Sequence, residues 1–233
     1  MNAQDSNLPH RTRIKLCGLS QPQDVAVAVA CGADAIGLVF YEKSPRHVEI
    51  EQARALLTGL PPYVSAIGLF VNAGLDEVRQ VLSRVPLSGL QFHGDETPGQ
   101  CAAIADAVSR PFTRALRIKP EMQANDLLEY ERACLAASPH FSGLLLDTWV
   151  DAYGGSGKVF DWSLVPKELA PRVVLSGGLN ALNVTEAVTR VRPHAVDVSS
   201  GIEREKGIKD AGKMRDFVRA VRAADAAIDA PLA

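Results

Sequence analysis

The stretch "RIKLCGLSQPQD", residues 13–24, decides how the chain is read. Arg13 to Cys17 has strand character and ends on a cysteine; Gly18 turns the chain, and helix-start signals follow at once. Ser20 offers a cap, Pro22 an early proline and Gln23 a glutamine in the first turn. One strand handing over to one helix is the repeating unit of an α/β protein.

The unit recurs along the chain. After 13–17, strand-like runs fall at 33–40 (ADAIGLVF), 63–71 (YVSAIGLFV), 87–94 (LSGLQFHG), 112–119 (FTRALRIK), 141–147 (FSGLLLD), 172–178 (RVVLSGG) and 195–201 (AVDVSSG). Helix-length segments separate them, with a period of roughly 20 to 30 residues. Thr97-Pro98-Gly99-Gln100 repeats the cap-and-proline start, Asn180 and Asp210 stand as caps before later helices, and Gly32 closes the first helix. VAVAVA at 25–30 alternates like a strand, but its alanines and flanking caps favour helix. Eight such units predict a single closed (β/α)8 (TIM) barrel over residues 13–223. The rival doubly wound open sheet lacks G-x-G-x-x-G after the first strand. Residues 1–12 read as a frayed N-terminal tail; 224–233 read as a C-terminal tail, frayed or continuing the last helix.

Composition narrows the function. The chain has 233 residues, 47% of them hydrophobic, which is enough apolar material for one large core. A formal net charge of -2 with mixed signs leaves no basic patch, so nucleic acid is not an expected partner. The first dozen residues carry no signal-peptide pattern, and no run of about 18 apolar residues occurs, so a cytoplasmic protein without membrane attachment is expected. Cys17, Cys31, Cys101 and Cys134 form no C-x-x-C pair, and His10, His47, His140 and His194 show no metal-ligand spacing. No metal or cofactor is implied.

In a barrel the active site lies at the carboxyl ends of the strands. Side chains alternate, so Arg13, Lys15 and Cys17 share one face and Ile14 and Leu16 the other. With the apolar pair facing the helices, Cys17 points into the mouth. The same parity brings Gly143, Leu145 and Asp147 inward from the sixth run, and Asp197 and Ser199 from the eighth. A thiol and a carboxylate therefore converge. The plain alternatives are a cysteine that serves as a small buried hydrophobe and an aspartate that caps the next turn. Lys15 in a lumen needs a partner, which register assigns to Asp197; its charge would also favour the thiolate of Cys17.

Ser176-Gly177-Gly178-Leu179-Asn180 follows the seventh run and Ser199-Ser200-Gly201 the eighth, the two positions where barrels commonly hold phosphate on backbone N–H groups. Gly177, Gly178, Ser199, Ser200 and Gly201 are thus candidate phosphate ligands. GGSGK at 154–158 is not a P-loop, since Ala152 and Val159 stand where glycine and Ser/Thr are required; the 148–160 segment reads instead as a lid. Arg46, after the second run, could grip a carboxylate with two parallel hydrogen bonds. His93 reaches the mouth after Gln91, and reads as a hydrogen-bonded structural histidine.

KLCG (15–18), GLVFYEKSPRHV (37–48), GLFVN (68–72), QFHGDE (91–96), LLLD with GGSGKVFDW (144–162), LSGGLN (175–180) and DVSSGIE (197–203) together resemble the phosphoribosylanthranilate isomerases of tryptophan biosynthesis, in order and over nearly the whole barrel. Leu16 and Phe92 depart from the more usual Ile and Leu, away from any functional position. The resemblance implies an Amadori rearrangement of N-(5-phosphoribosyl)anthranilate without metal or cofactor, in a monomer or homodimer. It implies that Asp147 is the acid for ring opening, with its pKa raised by the lumen or by the substrate's charge. Cys17 becomes the base at C2′, Arg46 the anchor of the anthranilate carboxylate, and Gly178, Ser200 and Gly201 part of the phosphate site. Two other readings remain: a catalytically silent barrel that binds a phosphorylated ligand, and the sister isomerase of histidine biosynthesis. Cys17, standing where that enzyme needs an aspartate, argues against the second.

Overall fold

Arg13–Cys17 forms β1, and Pro22–Ala30 forms α1, with Gly32 at φ 83° turning the chain after it. The computed structural model describes residues 10–149 and 159–230. Within them follow β2 (Ala35–Phe40), α2 (Ile50–Leu56), β3 (Ser65–Phe70), α3 (Leu75–Leu82), β4 (Gly89–Phe92), α4 (Pro98–Val108), β5 (Phe112–Ile118) and α5 (Ala124–Ala137). Then come β6 (Phe141–Thr148), β7 (Val174–Leu175), α6 (Val184–Val191), β8 (Ala195–Val198) and α7 (Ala211–Asp229). All eight strands pair in parallel in chain order, and β8 closes on β1 with Lys15 opposite Asp197. The chain is a single (β/α)8 TIM barrel.

The alternation of β1 sets the packing. Ile14 and Leu16 join Ile36, Leu38, Leu144 and Leu146 in the layer between sheet and helices. Phe217 and Met214 of α7 are fully buried in the same layer, each large apolar side chain adding about 1.5–3 kcal/mol. Cys17 instead sits in a small separate cluster with Val39 and Leu69. This split is what aims β1's odd-numbered residues into the lumen.

Several local expectations give way. Gln21, not Ser20, is the N-cap of α1, and no side chain bonds to its first turn; Pro22 supplies the start by fixing φ. Asn180 closes a turn by accepting from Leu182 N–H at 2.9 Å, and α6 begins only after Asn183. Thr97 and Asp210 cap as expected, Thr97 in a full capping box with Gln100.

Between β6 and β7 the described residues contain two short 3-10 turns, Trp162–Leu164 and Ala170–Arg172, and no α-helix. Pro166 and Pro171, five residues apart, deny a longer helix its backbone donors. After β8 a hairpin of β9 (Glu203–Glu205) and β10 (Ile208–Lys209) intervenes before α7. The 223/224 boundary falls inside α7, which runs on to Asp229 with Ala224 and Asp225 buried. Asp225 accepts from the backbone N–H (3.0 Å) and hydroxyl (2.7 Å) of Thr12, so residue 12 too belongs to the barrel. No helix of the described residues is long and apolar enough to cross a membrane.

Candidate active site

The carboxyl ends of the strands open onto one cavity, lined by Cys17, Arg46, His93, Asp147, Gly177, Gly178, Ser199 and Ser200 among others. Seven of these are the candidates read from the sequence. Gly201 is not among the lining residues but packs against Leu179, which is, and the 148–160 segment falls largely on residues 150–158, outside the described residues.

On the β1 side, Lys15 Nζ donates to Asp197 Oδ1 at 2.8 Å, and both side chains are buried. Burial alone would pull the Lys15 ammonium down, but the charges of Asp197 and Cys17 and its hydrogen bonds to them together outweigh it and hold the pKa above the usual range. Burial pushes the neighbouring Cys17 thiol up; the positive charge of Lys15 opposes this without reversing it. Lys15 thus eases ionisation of a thiol whose resting form is protonated. Lys15 favours the thiolate as expected, but the cost of desolvating sulfur's charge is the larger effect.

On the β6 side, Asp147 Oδ1 accepts from Thr148 N–H at 2.8 Å, and Oδ2 lies 2.9 Å from His93 Nε2. His93 Nδ1 is in turn 2.9 Å from Gln91 Nε2. As this amide is oriented it donates to Nδ1, so Nε2 carries the proton and donates to the carboxylate. His93 is hydrogen-bonded on both sides, as read, but its partner is the proposed acid itself. Gln91 and His93 share the inward parity of β4, the signal that could have predicted the contact.

The two glycine loops meet at the far side. Gly177 and Gly178 both take positive φ, 82° and 66°. A Cβ on Gly177 would fall 2.4 Å from Thr148 N and 2.9 Å from Asp147 Oδ1, so this position must be glycine for Asp147 to sit where it does. A Cβ on Gly201 would fall 1.9 Å from Leu179 O, so the loops after β7 and β8 pack backbone to backbone. The N–H groups of Gly177, Gly178 and Ser200 find no protein acceptor among the described residues.

Arg46, in the loop after β2, is tightly held. It is buried and bonds Glu203 through Nε (2.6 Å) and Nη2 (2.8 Å). Burial alone would push Glu203 up, but hydrogen bonds from Arg46 and Lys209 hold its carboxyl below the usual range. The sequence reading missed Glu203 and Lys209; the signal was two opposite charges six residues apart around the Lys206-Gly207 turn.

A closed parallel barrel that brings a thiol, a histidine-bonded carboxylate and two glycine loops to its mouth has the make-up of an acid–base enzyme of the (β/α)8 class. Residues 14–220 match the family model described as N-(5'phosphoribosyl)anthranilate (PRA) isomerase. A protein of that name from Herminiimonas arsenicoxydans is 63% identical over 219 residues, covering 94% of this chain and 96% of the relative. The crystal structure of phosphoribosyl anthranilate isomerase from Thermotoga maritima superposes with a TM-score of 0.80 at 39% identity, covering 91% and 100% of the two chains. A further solved isomerase, in complex with reduced 1-(o-carboxyphenylamino)-1-deoxyribulose 5-phosphate, has a TM-score of 0.77 at 36% identity, with coverage of 91% and 100%. The chain belongs to the phosphoribosylanthranilate isomerase family.

Proposed function

We propose that this chain converts N-(5-phosphoribosyl)anthranilate into 1-(2-carboxyphenylamino)-1-deoxyribulose 5-phosphate, with Asp147 as acid and Cys17 as base. The observation that carries the assignment is that both groups line one cavity whose far wall is the paired glycine loops. Protonated Asp147 gives its proton to the ring oxygen as the C1′–O bond breaks and the anilino nitrogen's electron pair forms C1′=N. The cationic imine acidifies C2′. Cys17 thiolate takes the C2′ proton, the C–H electrons form C1′=C2′, and the iminium nitrogen is neutralised. The enolamine then loses its C2′ hydroxyl proton and gains a proton at C1′, giving the ketone. The hydroxyl proton returns to the Asp147 carboxylate and the Cys17 thiol gives its proton to C1′, which resets both groups, while His93, hydrogen-bonded to Oδ2, holds the carboxyl in place.

The unpartnered N–H groups beside the cavity support phosphate binding by Gly177, Gly178, Ser199, Ser200 and Gly201, and the guanidinium of Arg46 suits the anthranilate carboxylate. The partner is thus a small phosphosugar, in the cytoplasm; light scattering distinguishes the monomer from the homodimer. Loss of the substrate's fluorescence reports turnover. The wild-type chain is expected to consume it and the Cys17→Ala chain to lose nearly all activity; wild-type activity in Cys17→Ala would overturn the base assignment.

A further inference from the structure

Resting on the reading of Arg46 as the carboxylate anchor, we propose that Glu203 is a positioning residue. It fixes the Arg46 guanidinium and, through Lys209, ties it to the loop after β8, so that one network grips both ends of the substrate.

The three charged side chains are almost sealed, at 8% exposure for Arg46, 5% for Glu203 and 0% for Lys209. Glu203 Oε1 receives Arg46 Nε at 2.6 Å and Lys209 Nζ at 2.8 Å, while Oε2 receives Arg46 Nη2 at 2.8 Å. Lys209 spends its other donors on Ser199, at 3.0 Å to the carbonyl and 3.2 Å to the hydroxyl. The chain of contacts therefore runs from the loop after β2, through Glu203 and Lys209, to the start of the phosphate-binding segment.

Two features make this more than a structural ion pair. The first is charge: two cations share one carboxylate, so the triad carries a net positive charge in a buried setting while the adjacent Lys15–Asp197 pair is neutral. An arriving carboxylate would balance it. The second is donor count. A guanidinium has five N–H groups, and Glu203 takes one from Nε and one from Nη2. The remaining three, both on Nη1 and one on Nη2, have no acceptor among the described residues, although Arg46 lines the cavity. Glu203 thus occupies one edge of the fork and holds the other ready for a planar, two-oxygen ligand. A guanidinium held in advance binds with less ordering cost than one that must be captured from solvent.

The test measures binding of the stable reduced ligand, 1-(o-carboxyphenylamino)-1-deoxyribitol 5-phosphate, and of its phenylamino counterpart without the carboxylate, by calorimetry. The ratio of the two Kd values does not depend on how much of a variant is folded. Wild type is expected to favour the carboxylated ligand by roughly 10- to 100-fold. Glu203→Gln keeps the shape but loses the charge, and should cut that preference about tenfold while weakening the counterpart much less. Lys209→Met should also reduce it. A Glu203→Gln chain that binds both ligands more weakly but keeps the wild-type ratio would overturn the proposal and leave Glu203 a structural ion pair. A ratio near one in wild type, or one unchanged in Arg46→Ala, would overturn the Arg46 reading and the proposal with it.

Discussion

The wall of the mouth built from β1, β2 and β8 is saturated with buried charge, Lys15 on Asp197 and Arg46 with Lys209 on Glu203, each pair within 2.8 Å. The facing wall, from β4 and β6, holds a single polar chain, Gln91 to His93 to Asp147, with the last two partly open to solvent. One wall sets fixed electrostatics around the Cys17 thiol; the other holds the Asp147 carboxyl in a chain of hydrogen bonds. Buried ion pairs resist rearrangement because separating them leaves an uncompensated charge, whereas hydrogen bonds between a histidine and a carboxylate reverse by moving one proton. On the proposed reading the substrate's carboxylate would be gripped by the first wall, its phosphate by the glycine loops after β7 and β8, and its ring oxygen protonated from the second wall.

The largest effect expected is from the two reacting groups. Asp147→Asn and Cys17→Ala should each lower kcat by about 10²- to 10⁴-fold with unchanged circular dichroism, since each removes one proton-transfer group and no packing of note. Next comes the rigid wall. Lys15→Met leaves Asp197 buried without its cation and should cost about 3–5 kcal/mol of stability in urea unfolding; a cost below about 1 kcal/mol would mean that this wall is no more fixed than the other.

The pH profile sharpens the contrast. On the proposed base assignment Cys17 acts as a thiolate, and its thiol is pushed up by burial, so the rate of its alkylation should climb with pH to a limb above the ordinary cysteine range. Lys15→Met, by removing the opposing positive charge, should move that limb further up; a limb unmoved or lowered would break the link between the pair and the thiol. His93→Asn is expected to reduce kcat by about tenfold with little change in KM, because it acts through Asp147 and not on bound substrate. The smallest effect tests the frame alone: Thr97→Ala removes a capping box at α4 and should cost about 1 kcal/mol without touching kinetics.

The barrel was legible because its strands are short apolar runs whose bounds are set by turn chemistry. RIKLC maps onto β1 residue for residue, and even the Lys15–Asp197 pair follows from parity once β8 is taken to close on β1. What stayed hidden has a common cause. Arg46 and Glu203 are 157 residues apart and His93 and Asp147 are 54 apart, so no local pattern announces either contact. The strands of the β9–β10 hairpin hold only three and two residues, too short for a periodic signal. The late start of α6 reflects two asparagine side chains spent in the preceding turn, Asn180 accepting from Leu182 N–H and Asn183 from Asn180 N–H, so that neither caps the helix.

A crystal structure of this chain with reduced 1-(o-carboxyphenylamino)-1-deoxyribulose 5-phosphate tests the account most directly. The prediction is C2′ in contact with Cys17 Sγ, Asp147 on the opposite side of the sugar, and phosphate oxygens on the N–H groups of Gly178 and Ser200. A ligand whose sugar touches only one of Cys17 and Asp147, or whose phosphate lies away from the two glycine loops, would contradict it.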